Sequence, residues 1–527
     1  MLVANSAQIR EIDRIMIEEY DFPGILLMET AGRKAADIIL SRYPEAQHFL
    51  VLCGPGNNGG DGAVTARYLD YAGKEVKVIY TEYPTRGDAY TNFLILKNQG
   101  IPFWLDTPEN EPLLESELEK NPIVIDALFG TGLRQKFKEP IKKLLKTIQE
   151  REPKVVAIDL PSGLIGDTGT LVNIPLKCDC TITFQLPKIC HYVTPASLYC
   201  GKVYVVDIHI YQNIVERLGI KTEVINDELI QNWYKKREAN SHKGMFGHVL
   251  CAGGSKGKGG AMGLCAKGVI NAGAGLCTAF IPGSVRASFH RSNLEGMSIA
   301  YGTDTTPYLN GIAAEVFLTY LTGKNVVAIG PGLGVTEETT TFLKEVLPHI
   351  QVPLVLDADA LNILAENPNF WELLPTSQKS NVIITPHPGE MARLMHTTTE
   401  AIQERRFEMA LKLATEKKVI VVLKGAGTII ASPIGSIYLN PVSNSGMASA
   451  GVGDVLTGII AGFAAQGYNP LKAAAMGVYL HSQSAQIVSA SFGAEGTTAS
   501  KIARGIGLAL KQALTNKSPT VEKALFY

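Results

Sequence analysis

The sequence lacks an excess of charge of either sign, since 49 lysines and arginines offset 50 aspartates and glutamates. Its formal net charge of −1 gives no reason to expect a nucleic-acid or other polyanionic partner. A long uninterrupted apolar run is also missing. Lys267 and Asn271 break the most hydrophobic small-residue tract, Gly259 to Ile281, which therefore predicts a buried helix followed by a strand and not a membrane span.

The N-terminal segment, Met1 to Glu11, lacks the basic stretch followed by an apolar stretch that a signal peptide requires. The eight cysteines also lack any paired C-x-x-C spacing. We therefore expect a cytoplasmic protein without a membrane partner, whose thiols are reduced and mostly buried.

A zinc site is considered where four of the cysteines, at positions 178, 180, 190 and 200, cluster with His191. Their spacing matches no common zinc pattern, and Cys180 directly precedes the strand-like segment Thr181 to Phe184. Buried thiols are therefore the interpretation that we prefer for this cluster.

What the chain does contain is ample apolar material, 46% of 527 residues, which predicts about two to four domains with large cores. The stretch Asn444 to Asp454 is a small-residue loop that leads directly into a helix. Gly446, Gly451 and Gly453 allow the backbone to approach an anion closely, and the helix directs its first N–H groups to the same place. Together with Asp454 this pattern suggests phosphoryl transfer, while a glycine-rich turn with Asp454 as an ordinary N-cap is the alternative.

In the first half of the chain, helical spacing over residues 1–45 predicts two helices that are joined through residues 21–24. The apolar run Phe49 to Cys53 predicts a buried strand that ends in a glycine-rich loop. A helix at about Ala63 to Ala72 and a strand at Glu75 to Tyr80 follow. This order of strand, glycine loop, helix and strand is the unit of a doubly wound, Rossmann-like α/β fold.

The glycine-rich loop at residues 54–62 is neither G-x-G-x-x-G nor a Walker A sequence. Its polar residues are the amides Asn57 and Asn58 and the acid Asp61, which offer both donors and oxygen ligands. Such a set suits a phosphate with a hard cation nearby. A tight turn is the alternative, but five glycines in nine residues are costly for a simple turn, so a binding site is favoured.

Two further predicted strands end in an aspartate that is followed by small residues, Ile123 to Asp126 and Val155 to Asp159. In an open parallel sheet, ligands bind beyond the carboxyl ends of the strands. The three strand ends should therefore surround one crevice. The residues expected there are Asn57, Asn58, Asp61, Asp126, Gly130, Thr131, Asp159 and Ser162.

These motifs resemble the N-terminal epimerase domain of NAD(P)HX repair enzymes over residues 1–220. NAD(P)HX is NAD(P)H hydrated across a ring double bond, and the family interconverts its two epimers at C6. The resemblance implies that the substrate contacts Asn57, Asn58, Gly59, Gly60, Asp61, Gly130, Thr131, Gly132, Leu133, Arg134, Gln135, Lys136 and Asp159. It implies a potassium ion (K+) on Asn58, Asp126 and Ser162. Asp159 is the candidate acid–base residue, because epimerisation requires proton shuttling with bond cleavage.

A domain boundary is expected at about residue 222, with a new helix opening after Asn226. The basic segment at residues 235–243 is interpreted as a solvated linker face and not as a recognition patch. Beyond it, apolar strands again alternate with helices and end in Gly, Asp, His or Lys, which predicts a second α/β domain. The strand-end segments lie at residues 247–255, 326–334, 354–362, 382–390 and 419–428.

The order of these second-half motifs resembles the ribokinase-like ADP-dependent NAD(P)HX dehydratases over residues 225–520. The whole chain then resembles bifunctional NAD(P)H-hydrate repair enzymes, with an epimerase domain at 1–222 and a dehydratase domain at 223–527. The family phosphorylates the C6 hydroxyl of the S epimer and eliminates phosphate, which restores NAD(P)H. The partners implied are the small molecules NADHX, NADPHX and the co-substrate ADP.

The resemblance also implies roles for individual residues of the second half. Asp454 is the base and another substrate contact, alongside Ala261, Gly332 and His387. The nucleotide is bound by Lys424, Gly425, Ala426, Gly427, Thr428 and Gly453. Glu390 is a candidate for organising Mg2+, whereas Asp357 and Asp359 are interpreted as structural caps. A helix cap is likewise the alternative for His387.

Two other functions stay open on the sequence alone, a kinase of a small hydroxymethyl metabolite and a nucleotide-binding scaffold without turnover. The fused N-terminal domain argues against the kinase, and the presence of Asp454, Lys424 and Asp159 argues against the scaffold. The apolar helices predicted at Ile459 to Ala465 and Ala473 to Leu480 offer interface surfaces, so a homo-oligomer is expected.

Overall fold

The structure, a computed structural model, describes residues 1–132, 137, 139–172 and 175–516. Its chain divides into two compact units, one formed by Leu2–Thr222 and the other beginning at Glu223. Among the described residues no helix is long and apolar enough to cross a membrane. Each unit is an α/β structure built on its own sheet, as the sequence predicted.

The first unit contains seven strands and the helices that connect them. The strands are β1 (His48–Cys53), β2 (Glu75–Tyr80), β3 (Phe103–Leu105), β4 (Ile123–Ala127), β5 (Val155–Ile158), β6 (Cys180–Phe184) and β7 (Lys202–Val206). The helices are α1 (Ser6–Arg14), α2 (Gly24–Arg42), α3 (Asn57–Tyr71), α4 (Gly87–Asn98), α5 (Glu111–Glu119), α6 (Glu139–Arg151) and α7 (Gln212–Arg217), and a π-helical turn at Ile15–Glu19 follows α1.

The sheet of the first unit is parallel, with the strand order β3-β2-β1-β4-β5-β6-β7. Strand β1 pairs with β2 on one side and with β4 on the other, so that Phe49 lies beside both Val76 and Ile123. The order therefore reverses at β1, and ligands of doubly wound sheets bind outside such a switch point. The predicted Rossmann-like arrangement of this unit is confirmed.

Helix α3 begins earlier than the sequence predicted. We expected a loop over residues 54–62 and a helix from Ala63, but the helix already starts at Asn57. The reason is close packing. A Cβ on Gly60 would lie 2.6 Å from the sulfur of Met28, and one on Gly62 would lie 2.5 Å from the side chain of Ala127. These glycines let the first turns of α3 approach their neighbours, at the cost of weaker helix propensity.

The second sheet has ten strands. They are β8 (Thr222–Val224), β9 (His248–Ala252), β10 (Leu276–Pro282), β11 (Met297–Tyr301), β12 (Val326–Ile329), β13 (Leu354–Leu356), β14 (Val382–Ile384), β15 (Ile420–Leu423), β16 (Ile429–Ala431) and β17 (Ile437–Leu439). The helices of the second unit are α8 (Asp227–Trp233), α9 (Gly259–Asn271), α10 (Arg286–Ser292), α11 (Gly311–Thr319), α12 (Glu337–Val346), α13 (Asp359–Glu366), α14 (Pro388–Leu394), α15 (Thr399–Glu404), α16 (Arg406–Lys417), α17 (Val452–Ala465), α18 (Pro470–Phe492) and α19 (Ala499–Thr515).

The strand order of the second sheet is β11-β10-β9-β12-β13-β14-β15-β16-β17-β8. Strands β9 to β15 pair in parallel, and the order reverses at β9, which lies between β10 and β12. Strands β15 and β16 are antiparallel. The segment Lys424 to Thr428 between them is therefore a hairpin connection, whereas the sequence had suggested another strand-to-helix loop.

Helices α17 and α18 lie in the core of the second unit, because their apolar side chains, among them Ile459, Ile460 and Leu480, are fully buried. Small residues allow α17 to pack closely on α9. A Cβ on Gly268 would lie 3.0 Å from the main-chain nitrogen of Ile459. The proposal that these helices offer oligomer interfaces is wrong, since the apolar surfaces in question are already covered within the unit. The oligomeric state itself stays a prediction.

All eight cysteines are buried and unbridged. Within the described part of the chain, no group of three or more His, Cys, Asp or Glu side chains could hold a metal ion. Burial raises the pKa of the Cys178 and Cys190 thiols well above the ordinary value. These side chains are therefore neutral packing groups, as the sequence analysis preferred.

Candidate active sites

A cavity of about 580 Å³ lies beyond the carboxyl ends of β1, β4 and β5 in the first unit. Residues of all three strand-end segments line it, whereas Asp126 and Ser162, which were expected at the same crevice, are not among the lining residues. The predicted substrate contacts among the lining residues are Asn57, Asn58, Asp61, Gly130, Thr131, Gly132 and Asp159. Apolar side chains complete the wall, including Ile9, Ile12, Ile208 and Ile210.

Gly130 is the point at which these segments meet. A Cβ on Gly130 would lie 3.3 Å from Oδ2 of Asp159 and 3.4 Å from Cβ of Asn58. Asp159 and Asn58 thus face each other across a glycine that leaves the space between them open. A larger residue at this position would narrow the gap where a substrate atom has to sit.

Gly59 and Gly60 lie in the first turn of α3 and face protein atoms, and neither is among the residues that line the cavity. The structure therefore separates them from the other predicted contacts. Leu133, Arg134, Gln135 and Lys136 lie outside the described residues. For all six, the binding role stays a prediction.

Asp159 follows β5 directly and is held by a buried lysine. Nζ of Lys188, a residue only 1% exposed, donates to Oδ1 of Asp159 at 2.5 Å. The hydroxyl of Thr183 donates to the same oxygen at 2.9 Å. Asp159 has φ 64°, a left-handed conformation that is uncommon for a residue with a side chain and occurs often at functional sites.

His191 fixes the main chain of the same residue. Its Nδ1 accepts from the main-chain N–H of Lys188 at 3.0 Å, so the ring proton is on Nε2, which lies 3.0 Å from the carbonyl oxygen of Asp159 and donates to it. Burial and the nearby Lys188 ammonium lower the pKa of His191 to about 4. The imidazole is therefore neutral at pH 7, as this donor and acceptor pattern requires.

The carboxyl groups in the cavity differ in protonation. Burial alone would raise the pKa of Asp159, but the charge and the hydrogen bond of Lys188 outweigh it and hold this pKa below the ordinary value. Burial and the negative charge of Asp159 raise the pKa of Asp61 well above the ordinary value. Asp13 on α1 also lines the cavity, and burial raises its pKa to about 6. One charged carboxylate thus faces carboxyl groups that retain protons more readily.

Of the three predicted potassium ligands, Asn58 lines this cavity, and Asp126 and Ser162 are hydrogen-bonded to each other. Both buried oxygens of Asp126 accept hydrogen bonds from Ser162, at 2.6 Å from its hydroxyl and at 2.7 Å from its main-chain N–H. The two side-chain polar atoms of Asn58 are buried without a hydrogen-bond partner. A buried amide oxygen without a hydrogen-bond donor is available to bind a hard cation, so these residues suit K+.

In the second unit, the carboxyl ends of β13 and β15 meet the start of α17. Asp357 follows β13 and is 1% exposed, and its Oδ1 lies 2.9 Å from Nζ of Lys424, which follows β15. The hydroxyl of Thr457 on α17 donates to Oδ2 of Asp357 at 2.6 Å. The buried carboxylate therefore ties the lysine to the helix.

The small-residue loop that begins at Asn444 leads directly into α17, but the helix begins at Val452, inside the stretch to Asp454 that was predicted as loop. Gly451, with φ 83°, is the N-cap of the helix. Asp454 lies in the first turn and is not the N-cap, so the alternative of an ordinary aspartate cap is wrong. The free N–H groups and the positive end of the helix dipole are adjacent to this carboxylate.

Asp454 is more basic than an ordinary aspartate. Burial is the largest cause, the negative charge of Asp357 adds to it, and together they raise the pKa of Asp454 to about 7. The ammonium of Lys424 opposes this rise, but Lys424 is already paired with Asp357. A carboxylate with a pKa near the working pH is suited to accept a proton from a hydroxyl group.

Ala261 and Gly332 meet at the switch point of the second sheet. A Cβ on Gly332, which has φ 63°, would lie 3.0 Å from Cβ of Ala261. Asp359 supports this region, since its Oδ2 accepts from the main-chain N–H of Gly334 at 2.7 Å and pairs with Lys258 at 3.2 Å. Asp359 is therefore more than a structural cap, because its side chain connects the loops that contain Gly334 and Lys258.

His387 is the N-cap of α14. Its Nδ1 accepts from the main-chain N–H groups of Gly389 and Glu390, and Glu390 accepts from the main-chain N–H of His387 at 2.8 Å. The contacts of His387 within the protein are therefore those of a helix cap, which was the alternative interpretation. Half of the His387 side chain is exposed, so a substrate contact through Nε2 stays a prediction. Glu390 lies 3.7 Å from Nζ of Lys424.

The remaining predicted nucleotide contacts are in the hairpin after β15. The hydroxyl of Thr428 donates to the carbonyl of Gly425 at 2.9 Å, which closes the turn on itself. Gly453, at the start of α17, is close to this turn, since a Cβ there would lie 3.3 Å from Nζ of Lys424. The hairpin and the helix start are therefore adjacent. Ala426 and Gly427 complete the hairpin.

Sequence reasoning missed the residues around the two candidate bases. In the first unit these are Lys188 and Thr183, which donate to Asp159, and Asp13, which lines the same cavity. In the second unit they are Asp357, whose charge raises the pKa of Asp454, and Thr457, which donates to Asp357. Lys188 gave no signal, because a lysine in an irregular segment is ordinary. Asp357 gave one, since it follows an apolar strand as Asp126 and Asp159 do, yet it was interpreted as a cap.

Two known sequence families match the chain. The family described as YjeF-related protein N-terminus matches residues 25–190, and the family described as NAD(P)H-hydrate dehydratase matches residues 249–507. A bifunctional NAD(P)H-hydrate repair enzyme from Moorella thermoacetica is 41% identical over 494 residues, 91% of either chain. Another from Escherichia coli is 33% identical over 508 residues, covering 93% of this chain and 90% of its own.

Among solved structures, a ribokinase-like superfamily protein from Enterococcus faecalis V583 is 26% identical, with a TM-score of 0.49. The match covers 56% of this chain and 98% of that one. An ADP/ATP-dependent NAD(P)H-hydrate dehydratase from Bacillus subtilis is 27% identical, with a TM-score of 0.47. It covers 55% of this chain and 98% of that one.

Proposed function

This chain belongs to the family of bifunctional NAD(P)H-hydrate repair enzymes, and we propose that it divides the repair between its two units. Residues 1–222 form the epimerase, which interconverts R and S NAD(P)HX. Residues 223–527 form the dehydratase, which uses ADP to convert the S epimer to NAD(P)H, AMP and phosphate. Because hydration yields both epimers and the dehydratase accepts one, the fusion lets all of the damaged cofactor be recovered.

One observation carries the proposal, namely that each unit contains an aspartate at a strand or helix end whose pKa is shifted by burial and by a charged neighbour, which is Lys188 for Asp159 and Asp357 for Asp454. In the first unit, Lys188 holds the pKa of Asp159 below its ordinary value, so Asp159 is charged. In the second unit, the pKa of Asp454 is raised to about 7. Both reactions begin at the same C6 hydroxyl, and each requires a group that accepts its proton.

For epimerisation, Asp159 accepts the proton of the C6 hydroxyl as the ring bond between C6 and nitrogen breaks and C6 becomes a carbonyl carbon, and a protonated carboxyl group supplies a proton to the ring nitrogen. Asp61 is the proton donor that we favour, since it lines the same cavity and retains its proton. Lys188 keeps Asp159 ionised between turnovers. Reclosure on the opposite face gives the other epimer.

For dehydration, Asp454 accepts the C6 hydroxyl proton while that oxygen attacks the terminal phosphoryl group of ADP. The N–H groups at the start of α17 stabilise the negative charge on the transferring group. AMP leaves first. The phosphate then departs with the C6 oxygen as a ring proton is lost, which restores the double bond.

The remaining ligand contacts follow the same division. The nucleotide is bound by Lys424, Gly425, Ala426, Gly427, Thr428 and Gly453. The nicotinamide substrate of the second unit lies against Ala261, Gly332 and His387, near Asp454. In the first unit, K+ at Asn58, Asp126 and Ser162 would supply a fixed positive charge near the substrate.

Mg2+ would supply charge neutralisation for the phosphates of ADP, because this ion usually takes one or two carboxylates together with phosphate oxygens. Glu390 is the nearby carboxylate that suits it. A cytoplasmic location and a homo-oligomeric state stay predictions.

The test is to incubate the protein with a mixture of R and S NADHX, ADP and Mg2+ and to follow the absorbance of reduced nicotinamide. We expect complete recovery of NADH that depends on ADP. A kinase of another metabolite, whose phosphoryl acceptor is absent from this mixture, and a nucleotide-binding scaffold would both fail to form NADH. Absence of NADH would exclude the proposed repair activity.

A matched variant, Asp159→Asn, separates the two steps. It removes the base without changing side-chain size. The S epimer should still be converted to NADH, whereas conversion of the R epimer, which depends on the epimerase, should become slow. Unchanged circular dichroism serves as the folding control. If the variant epimerises at the normal rate, the assignment of Asp159 is wrong.

A further inference from the structure

A buried arginine lies behind the hairpin that follows β15. Arg406, at the start of α16, is 1% exposed. Its Nη2 lies 3.3 Å from the carbonyl oxygen of Leu423 and 3.2 Å from that of Lys424, and donates to both. A weaker contact at 3.5 Å reaches the carbonyl of Gly427, and Nη1 donates to the side chain of Gln403 at 3.0 Å. The guanidinium thus spans both ends of the hairpin.

The charge of Arg406 has no carboxylate partner within ion-pair distance in the described part of the chain. Burial is the only identified cause that lowers its pKa, to about 10, so the group is still charged at neutral pH. Its Nε is also buried without a hydrogen-bond partner. A buried, unpaired charge is costly, which predicts that an anion compensates it in the working state.

Gly425 shows how closely the hairpin rests on this charge. Its φ is 134°, and a Cβ there would lie 2.9 Å from Nη1 of Arg406. Any side chain at position 425 would therefore displace the guanidinium. Since the carbonyls of Lys424 and Gly427 are turned toward Arg406, the opposite side of the hairpin is the one available to a ligand.

The lysine of the hairpin cannot supply the same charge, because Lys424 is neutralised by Asp357 at 2.9 Å and lies 3.7 Å from Glu390. Two carboxyl groups thus lie within 4 Å of one ammonium. Arg406 is the positive charge at this hairpin that no carboxylate offsets.

We propose that Arg406 is the buried counter-ion of the nucleotide phosphates, a positioning residue that acts through the hairpin carbonyls without touching the ligand. The inference rests on the proposed nucleotide role of residues 424–428. The affinity for a nucleotide should then depend on its phosphate charge, since a ligand with more phosphates is attracted more strongly by the same buried cation.

The experiment compares Arg406→Met with the unaltered full-length protein, using calorimetric titration with ADP, AMP and adenosine. We expect ADP affinity to fall by about tenfold or more, AMP affinity to fall less and adenosine affinity to change less than about twofold. Arg406→Lys, which keeps the charge but not the planar fork, should recover most of the ADP affinity. A purely structural role would not produce this grading with phosphate number.

Gln403→Leu is the matched control, because it removes the side-chain acceptor of Nη1 and leaves the charge in place. It should change ADP affinity less than about twofold. If Arg406→Met does not fold, Arg406→Gln, which is also uncharged but keeps hydrogen-bond donors, carries the test, and a loss of ADP affinity that clearly exceeds the loss of adenosine affinity supports the proposal.

Two results would overturn the inference. One is an equal loss of ADP and adenosine affinity in the arginine variants, and the other is unchanged ADP affinity in Arg406→Met. A protein that binds no ADP before any substitution would instead overturn the proposed nucleotide site, and this inference with it.

Discussion

The two units place an aspartate and a lysine at comparable positions but use the lysine differently. In the first unit, Lys188 binds the candidate base Asp159 directly, at 2.5 Å. In the second, Lys424 binds a different carboxylate, Asp357, and leaves Asp454 without an ion pair within the described structure. The pKa of Asp159 is consequently below the ordinary value, whereas burial raises that of Asp454 to about 7.

The comparison teaches that residue type and position at a strand or helix end do not set the protonation of a carboxyl group. The protonation depends on whether the nearest cation pairs with that carboxyl group or with another one. An epimerase base that must stay ionised gains from a dedicated lysine. A base that takes a proton during phosphoryl transfer gains from a pKa near the working pH.

The largest effect is expected from Asp454→Asn, which removes the base of the second unit. Dehydration should slow by about a thousandfold, within the range for loss of a general base. ADP affinity should change little, and epimerisation by the same chain should not change. NADH recovery from S NADHX is the measurement. Normal turnover in this variant would remove Asp454 from its role and with it the contrast between the units.

Next in size is Lys188→Met, which breaks the ion pair of the first unit. Without the ammonium, burial raises the pKa of Asp159, so epimerisation at pH 7 should fall by roughly a hundredfold. The loss should diminish as the pH is raised, because Asp159 then ionises without help. Lys188→Arg keeps the charge and serves as the control. A loss that is equal at all pH values would argue that Lys188 acts only through packing.

A smaller effect concerns the pH dependence of dehydration. Because Asp454 acts as a base, kcat/KM should rise with pH through about 7, the pKa of its carboxyl group in the free protein. Asp357→Asn removes a neighbouring negative charge and frees Lys424, so this rise should move to lower pH by about one unit. The second unit would then resemble the first. A rise that stays at the same pH would mean that Asp357 does not set the pKa of Asp454.

The smallest effect is expected from Thr457→Val, which removes the hydroxyl that donates to Asp357 at 2.6 Å. Leaving this buried oxygen without its donor should lower the free energy of unfolding by about 1–3 kcal/mol. Chemical denaturation of the second unit measures it. Thr415→Val on the exposed face of α16 is the control, since its hydroxyl binds only the main-chain oxygen of Leu411. Equal losses in the two variants would show that the Asp357 contact contributes nothing of its own.

Much of the architecture could be predicted from the sequence. Apolar runs that end in glycine, aspartate or lysine identified β1, β4, β5, β13 and β15, and the small-residue loop predicted a following helix, although α17 already begins at Val452. The start of α3 could not be predicted, because glycines at positions 59, 60 and 62 suggest a loop locally. Only the close approach of Met28 and Ala127 makes a helix the better solution there.

The candidate sites could be predicted in part. The convergence of Asn58, Gly130 and Asp159 followed from the parallel sheet alone. The partners of the key carboxylates did not, since Lys188 lies 29 residues from Asp159 and Thr457 lies 100 residues from Asp357. Local patterns contain no information about contacts over such distances.

By itself, then, the sequence determined the order of strands, glycine loops and helices, and hence the two α/β units and the family to which the chain belongs. The tertiary structure alone decided which aspartate is charged, which lysine is already paired and which arginine lies unpaired behind a hairpin. The physical reason is that the pKa of a buried group depends on desolvation and on charges a few ångströms away. Both are products of folding and not of local sequence.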